Sequence, residues 1–572
     1  MKKRKKHSFI MQAGLLAAAG IIVRIIGILY RTPLVMIIGD EGNGYYNTAY
    51  QIYMIILFIS SYSIPAAISK VIAAKLSLNE YRNAYRLFIG GIIYVLIMGT
   101  LGSAVCFLFP NMLVGANSAQ VLKIFAPTIL LSGFLGTFRG FFQAQHTMLY
   151  TSSSQIIEQI ANAVISITMA FIFTRNLVGM DDTTVAIAGA KGSAIGTGAG
   201  VAVALVYMVV IYCLHHKDII TKVKKDNSGA LEGWGDIFKI ILGMVTPVIL
   251  STCIYNITNP LNLKIYQGIT MNVRGMSESI ATTRFGLYSA KAMQIINIPI
   301  AIAAAMSSAI IPAISHTHER GEYEEGRRKV AMAVKVTMLI AIPCAFGLFV
   351  LAKPILLILY PQKASVDLVA SMIRVLSITV VFYCMSTLSN AVLQGTGHAH
   401  APVVNASIAL GIQTVVLVIL MITTDLDTYA LCISAIVYSL AMCVLNGIAM
   451  RKYNGYHQEV VKTFVLPAAA SLWMGLLVKA SYDSGIKLLG IIFGGREFML
   501  HSISINNVIA TAVSVVIGAF IYLLLILHYG VATEQDILSM PKGTKLVSIF
   551  TKLGLLREED IITRRRKRRK KQ

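Results

Sequence analysis

The chain is long enough for several soluble domains, at 572 residues, but 56% of them are hydrophobic and only 13% are charged. Soluble chains carry about a quarter charged residues. A mean hydropathy of +0.70, with a formal net charge of +24 crowded into short clusters, excludes a soluble enzyme and specifies a polytopic helical membrane protein. A barrel is excluded because the apolar runs are about twice the length of a membrane strand and do not alternate.

Fourteen spans follow in chain order, at about 11–31, 46–70, 86–109, 121–142, 153–174, 187–214, 238–262, 284–311, 330–352, 366–393, 402–423, 428–450, 461–480 and 504–528. Orientation follows from the lysine and arginine bias of the loops. With "MKKRKK" inside the cell, about 35 of the 50 basic residues fall on the cytoplasmic side and about 12 outside. The outer loops carry acids instead, in "MDDTT" at 180–184 and "TDLDT" at 424–428. An even count keeps the basic tail "RRRKRRKKQ" inside as well. The first apolar run continues past the alanines at 17–19, so it reads as a retained span rather than a cleaved leader. The seven cysteines show no C-x-x-C pairing and read as small buried hydrophobes.

The chain also repeats itself. "SIPAAIS" at 63–69 returns as "IIPAIS" at 310–315, "NEYRNAYR" at 79–86 as "GEYEEGRR" at 321–328, and "FFQAQHTMLYTSSSQ" at 141–155 as "VLQGTGHAHAPVVNA" at 392–406. Six spans per half make the repeat parallel, with a substrate path expected between the halves. The expected architecture is therefore all-α. A six-helix bundle occupies 1–225 and a second 236–455; two extra helices lie in 456–530 and a basic cytoplasmic tail in 531–572.

Charged residues inside apolar spans point to function, because an arginine at a helix centre costs about 2.5–3.5 kcal/mol. Arg24 and Arg31 are seven residues apart, two helical turns, about 10 Å along one face. Lys291 lies within the eighth span, and Arg374 within the tenth. Three cations at Arg24, Arg31 and Lys291 suit an anion such as phosphate, pyrophosphate or carboxylate, whereas snorkelling to the interface is their bland reading. Glu158 reads either as a buried partner of Arg139 or as a site coupling a proton or sodium ion. Asn256, Asn259 and Asn262 surround Pro260, as a broken helix or an outer helix end. The tail's eight basic residues at 564–571 are suited to anionic lipid rather than nucleic acid. No Gly-rich phosphate loop is present, and no cofactor is expected.

The segments "GYYNTAYQIY…ISSYSIPAAISK" (44–70) and "RGFFQAQHTM…SSSQIIEQ" (139–159), with the 6 + 6 + 2 layout, resemble the MurJ-type lipid II flippases. These belong to the multidrug/oligosaccharidyl-lipid/polysaccharide exporter superfamily, and the likeness is greater to the branch that includes stage V sporulation protein B. The resemblance covers about 8–530. Arg24-Ile-Ile-Gly27 matches a basic residue the family places three before a glycine in span 1. The family's second arginine position is Tyr30 here, with Arg31 following, and Lys291 matches its basic position in span 8 as lysine. Its acidic residue near the start of span 2 has no match in "GYYNTAY", Asp40 and Glu41 lying several residues earlier.

The resemblance implies a polyprenyl-pyrophosphate carrying a sugar or sugar–peptide headgroup, moved by alternating access while its tail stays in the bilayer. The last two spans would form an apolar groove for that tail. Export of another lipid-linked oligosaccharide, a drug:cation antiporter and a membrane glycosyltransferase are the competing readings. The antiporter wants intramembrane carboxylates, and the transferase wants acidic pairs on a large aqueous loop.

The charge bias makes a topological prediction. An impermeant thiol reagent on intact cells should label a single cysteine placed at 181 and leave one at 228 untouched; the reverse pattern would invert the topology.

Overall fold

The computed structural model describes residues 19–531 apart from 21, 63, 146, 178, 227–230, 493–498, 501 and 502. The start of the first expected span and the basic tail lie outside the described residues. The described chain is almost wholly helical, with one short hairpin pairing Met499–Leu500 with Ile503–Ser504. Among the described residues ten helices are long and apolar enough to cross a membrane, or up to twelve if each of two bent pairs is one span. The protein is thus an all-α polytopic membrane protein, and the count of fourteen rests on the charge pattern.

The chain divides into two compact units, Met1–Lys291 with Val418–Thr428, and Ala292–Leu417 with Tyr429–Gln572. These units differ from the sequence halves, since the stretch 236–291 packs with the first. The first unit begins with α1 (Ile22–Leu29), α2 (Arg31–Leu57), α3 (Ile64–Ser77) and α4 (Tyr81–Leu108). It continues with α5 (Ala116–Ala144), α6 (Met148–Arg175), α7 (Asp182–Lys224), α8 (Trp234–Asn256), α9 (Thr258–Asn272) and α10 (Glu278–Gly286).

The start of this unit corrects the expected boundaries. The first connection, read as 32–45, is helical except at Gly39, whose φ of 70° breaks the helix into 31–38 and 40–57. The polar letters of "DEGNGYYN" suggest a loop, but Asn43, Gly44, Tyr45 and Tyr46 are buried against neighbouring helices. One glycine with a positive φ is turn enough. Asp40 and Glu41 therefore open the second helical segment rather than sitting in a loop ahead of it.

Small residues set the packing of α6 on α7. Gly189, Gly192, Gly196 and Gly200 recur along one face of α7, and a Cβ at Gly192 would lie 2.5 Å from the Ala170 nitrogen, one at Gly200 2.7 Å from the Glu158 carbonyl. In lipid, helices associate by such close backbone approach rather than by hydrophobic burial. At 43 residues, α7 is about 64 Å long, twice the hydrocarbon core of about 30 Å. Its C-terminal turns, read from sequence as loop, leave the apolar zone as helix.

Below those turns a polar clasp ties the segment after α7 to the α3–α4 turn. Lys75 bonds Glu80 at 2.9 Å and also pairs with Glu232. The Arg82 N–H donates to Asp226 at 2.7 Å, the Glu232 N–H to the Asn83 side chain at 3.1 Å, and Arg86 to the Glu232 carbonyl at 2.5 Å. Arg86 also stacks over Trp234, 5.6 Å from the ring centre.

In the second unit, α11 (Met293–Glu319), α12 (Tyr323–Val350), α13 (Ala352–Leu359), α14 (Val366–Leu376) and α15 (Thr379–Gly395) precede α16 (His400–Thr423) and α17 (Thr428–Asn454). Buried Asn446 donates to Asn390 at 2.7 Å and accepts from Asn405 at 2.9 Å, an amide ladder joining α15, α16 and α17. The final pair, α18 (Leu466–Ile492) and α19 (Ile505–His528), packs on itself around Met474, Val478 and Gly518. Most of its remaining apolar surface is exposed, including Trp473, Leu476, Val516 and Phe520.

The turns after α3 and α11 carry the repeat into the backbone. Asn79 and Gly321 both have positive φ, 61° and 71°. Their N–H groups bond Leu76 and His318, while those of Glu80 and Glu322 bond Lys75 and Thr317. The two turns have the same hydrogen bonds, each within its own unit.

The clasp predicts a pH dependence. Bonds from Asn83 and then Lys75 hold the Glu80 carboxyl below its ordinary value of 4.5. A depressed carboxyl contributes stability above its unfolded value and loses it as pH falls through the folded one. Glu80→Gln should lower the melting temperature at pH 7, and the gap should close below about pH 4. Parallel melting curves of purified wild type and variant check it; a gap that persists at pH 3 contradicts the ionic contribution.

Candidate functional site

The second segment of α2 presents two faces with different chemistry. One face meets the 278–291 stretch, where glycines on both sides let the backbones touch. A Cβ at Gly44 would lie 2.8 Å from the Thr282 carbonyl oxygen, and one at Gly286 2.8 Å from the Gly44 Cα. Around this crossing the polar groups pair off. Glu41 accepts from Tyr45 at 2.8 Å, Thr183 at 3.0 Å and Ser279 at 2.5 Å. Asn47 donates to Ser289, and the Gln267 amide reaches Thr48 and Thr282, each at 3.3 Å. Glu278 accepts from the Asn117 N–H at 3.1 Å, so its charge sits at the positive end of α5.

Lys291 lies on a π-helical turn, Leu287–Ala292, between α10 and α11. Such turns interrupt the i to i+4 ladder and are frequent at functional sites. Its side chain is fully buried and forms an ion pair with Asp40, whose own side chain is 18% exposed. The expected cation is thus present, and the structure adds a carboxylate as its partner. That partner was hidden in sequence because 40–45 read as loop.

The other face of this segment is aromatic. Tyr46, Tyr50 and Tyr53 gather around Phe125, with Tyr46 and Tyr50 stacked at 5.8 Å and Tyr53 on Phe125 at 4.9 Å. Arg31 is the partly exposed first residue of α2. The Glu158 carboxylate accepts from Arg139 at 2.7 Å, and Arg139 also donates to Ser154 at 2.8 Å. The partner reading of Glu158 therefore has a direct contact behind it.

The remaining expected residues are dispersed. Arg24 is exposed on α1, and Arg374 is exposed near the end of α14. Asn256 and Asn259 are exposed on either side of a helix break at Ile257, while Asn262 is buried in α9. A second polar group was not anticipated. Asp427, at a φ of 50°, pairs with Arg284 and accepts from Tyr266 at 2.5 Å. Arg274 donates to the Met421 carbonyl at 2.8 Å, so the 424–428 loop is fastened to α9 and α10. The acids of "TDLDT" were the signal, read as topology rather than as structure.

Comparison with known proteins now decides the family. The family model described as polysaccharide biosynthesis protein matches residues 10–318, more than half of the chain. The chain belongs to the polysaccharide biosynthesis protein family. A second model, MatE, matches residues 269–419 of this polysaccharide biosynthesis protein. Stage V sporulation protein B of Bacillus subtilis is 22% identical over 550 residues, covering 95% of this chain and 99% of that one. Lipid II flippase MurJ of the same organism is 22% identical over 482 residues, covering 80% and 85%.

Among solved structures, lipid II flippase MurJ in an inward closed conformation superposes with a TM-score of 0.61 at 15% identity, over 89% of this chain and 97% of that one. A multidrug resistance MATE transporter, inward-facing, gives 0.58 at 14% identity over 78% and 98%. At these identities the structures establish a shared fold. The relatives whose names state an activity are flippases and transporters, not enzymes.

The Lys291–Asp40 pair predicts a stability signature. Removing one partner of a buried pair typically costs about 3–5 kcal/mol, because the other charge is left uncompensated. Lys291→Met and Asp40→Asn should each lower the melting temperature in detergent, and the double variant should recover much of the loss. Additive losses would show that the two charges are not coupled.

Proposed function

We propose that the protein carries a polyprenyl-pyrophosphate-linked cell-wall precursor, with lipid II as the first choice, from the inner to the outer leaflet of the bacterial plasma membrane. Both termini are cytoplasmic in this reading. The observation that carries it is the fully buried Lys291 on a π-helical turn, in a chain of the polysaccharide biosynthesis family. A buried ammonium is expensive to maintain, and a pyrophosphate supplies more negative charge than a carboxylate such as Asp40, with which it pairs here.

Transport then becomes an exchange of anions. An arriving pyrophosphate competes with Asp40 for Lys291, with Arg24 and Arg31 as further cationic contacts, and the crossing at Gly44 and Gly286 loses one of its polar ties. The headgroup is released outward when Asp40 recovers the lysine. An inside-negative potential favours the outward movement of an anion by about 2.3 kcal/mol per charge per 100 mV. A coupling proton or sodium ion is the other source of drive, and the bilayer holds the lipid tail. Export of a different lipid-linked oligosaccharide uses the same contacts. A drug:cation antiporter fits less well, because Asp40 and Glu158 are each paired with a cation.

Depletion followed by extraction of lipid-linked intermediates tests the substrate, and variants test the residues. Arg24→Ala and Lys291→Ala should each cut flipping per membrane-inserted protein at least about tenfold, the value of a lost charge-assisted hydrogen bond. Lys291→Arg should keep activity, and Arg24→Lys should restore only part, since a point charge lacks the guanidinium fork. Wild-type flipping in the Arg24→Ala, Lys291→Ala double variant would end the proposal.

A further inference from the structure

In the second unit the basic end of α17 meets the start of α16 around a single ring. Tyr453 stacks on His398 with centres 4.2 Å apart, the His400 ring stands edge-on to it at 6.3 Å, and the Lys452 ammonium lies 5.3 Å from its centre. Just past the ring, α17 ends at Gly455, where a Cβ would come within 3.2 Å of the Arg327 guanidinium. Arg327, Arg451 and Lys452 are exposed and have no carboxylate partner among the described residues. Two acids close by in the chain are already engaged, Glu325 by Lys329 at 2.8 Å and Glu459 by Lys462 at 3.9 Å.

Polar atoms at this corner also lack partners. The His398 Nδ1, both polar atoms of the Asn454 side chain and the Gln458 amide nitrogen are buried, and none makes a hydrogen bond among the described residues. Native folds leave few such groups, so four in one corner call for a cause. The matching end of the first unit, between α6 and α7, is closed by contrast. There both ring nitrogens of His215 are occupied, by the Tyr150 hydroxyl at 3.2 Å and the Ile211 carbonyl at 2.9 Å.

Two apolar stripes run into the cluster. On α16 the exposed Val404, Ile408 and Ile412 follow His400 at four-residue spacing. On α17 the exposed Leu440, Val444 and Ile448 lead at the same spacing to Lys452. Residues four apart share a helix face. Each stripe is about 18 Å long, close to the half of a hydrocarbon core of about 30 Å that one leaflet fills. The stripes offer surface to two acyl chains, and both end beside Tyr453. The headgroup that suits this end is anionic. Lys452 already holds the place over the ring that a choline or ammonium group would take, while a phosphate accepts from guanidinium and ammonium alike.

We propose that this corner of the second unit docks one anionic diacyl glycerophospholipid, its phosphate held by Arg327 and Lys452 beside Tyr453 and its chains lying along the two stripes. In the orientation proposed above, the lipid belongs to the inner leaflet. It is a resident ligand, separate from whatever the protein transports.

Native mass spectrometry of the full-length protein in detergent tests the site, with phosphatidylglycerol and phosphatidylcholine of the same chains as probes. Wild type should bind the first phosphatidylglycerol at least about tenfold more tightly, the scale of two basic groups beside a surface phosphate. Arg327→Gln with Lys452→Gln should bring phosphatidylglycerol down to the phosphatidylcholine level. Arg327→Lys with Lys452→Arg keeps the charge and should keep the preference. Lys217→Gln with Lys222→Gln removes the same charge from exposed positions on α7 and should leave the preference intact, which separates a site from bulk attraction to a basic protein. Equal affinity of wild type for the two lipids, or equal loss in both glutamine double variants, overturns the proposal. Displacement of phosphatidylglycerol by an equal concentration of soluble glycerol phosphate would reveal an anion site that needs no lipid, and would overturn it too.

Discussion

The contact on which the first unit depends is the backbone-to-backbone approach of α2 and α10 at Gly44 and Gly286. Any side chain at either position would collide with main-chain atoms. With the helices so close, the groups on either side of the crossing must be polar partners or small. They are: Glu41 with Ser279, Asn47 with Ser289, and Asp40 with Lys291. Hydrogen bonds between membrane helices are individually modest, about 0.6 kcal/mol on average, but here they are collected on one narrow seam. The buried lysine owes its position to this seam, since its stem runs from the π-helical turn that the crossing leaves beside Asp40.

Asp40 and Glu158 are each balanced by a cation at hydrogen-bonding range, Asp40 by Lys291 and Glu158 by Arg139. The two pairs differ in what surrounds them. Lys291 is sealed from solvent, so losing either partner strands a charge. Arg139 and Glu158 retain some exposure, so their surroundings must supply polar contacts.

Much of this was legible in the sequence. Apolar runs and loop charges gave the class, and the scarcity of charge within spans singled out Arg24, Arg31, Lys291 and Glu158 without any geometry, of which Lys291 is buried and Arg24 exposed. The repeated "NEY" and "GEY" turns were visible as letters. What stayed hidden depended on tertiary contact. The segment 40–45 is polar enough to read as a loop, and only burial against 278–291 reveals it as helix; with that misreading went the partner of Lys291. The Arg284–Asp427 pair joins residues 143 positions apart, beyond the reach of any periodicity.

The matching turns after α3 and α11 bear on how the two halves have drifted. Their main-chain bonds coincide at a spacing of 242 residues, yet the residue at the left-handed position is asparagine in one and glycine in the other. Both are tolerated there, glycine for want of a Cβ and asparagine because its short polar chain bonds locally. Divergence between the copies has thus been filtered by backbone conformation rather than by side-chain identity. Ancestry can persist in a chain as a pattern of carbonyls and amides after most of its letters have changed.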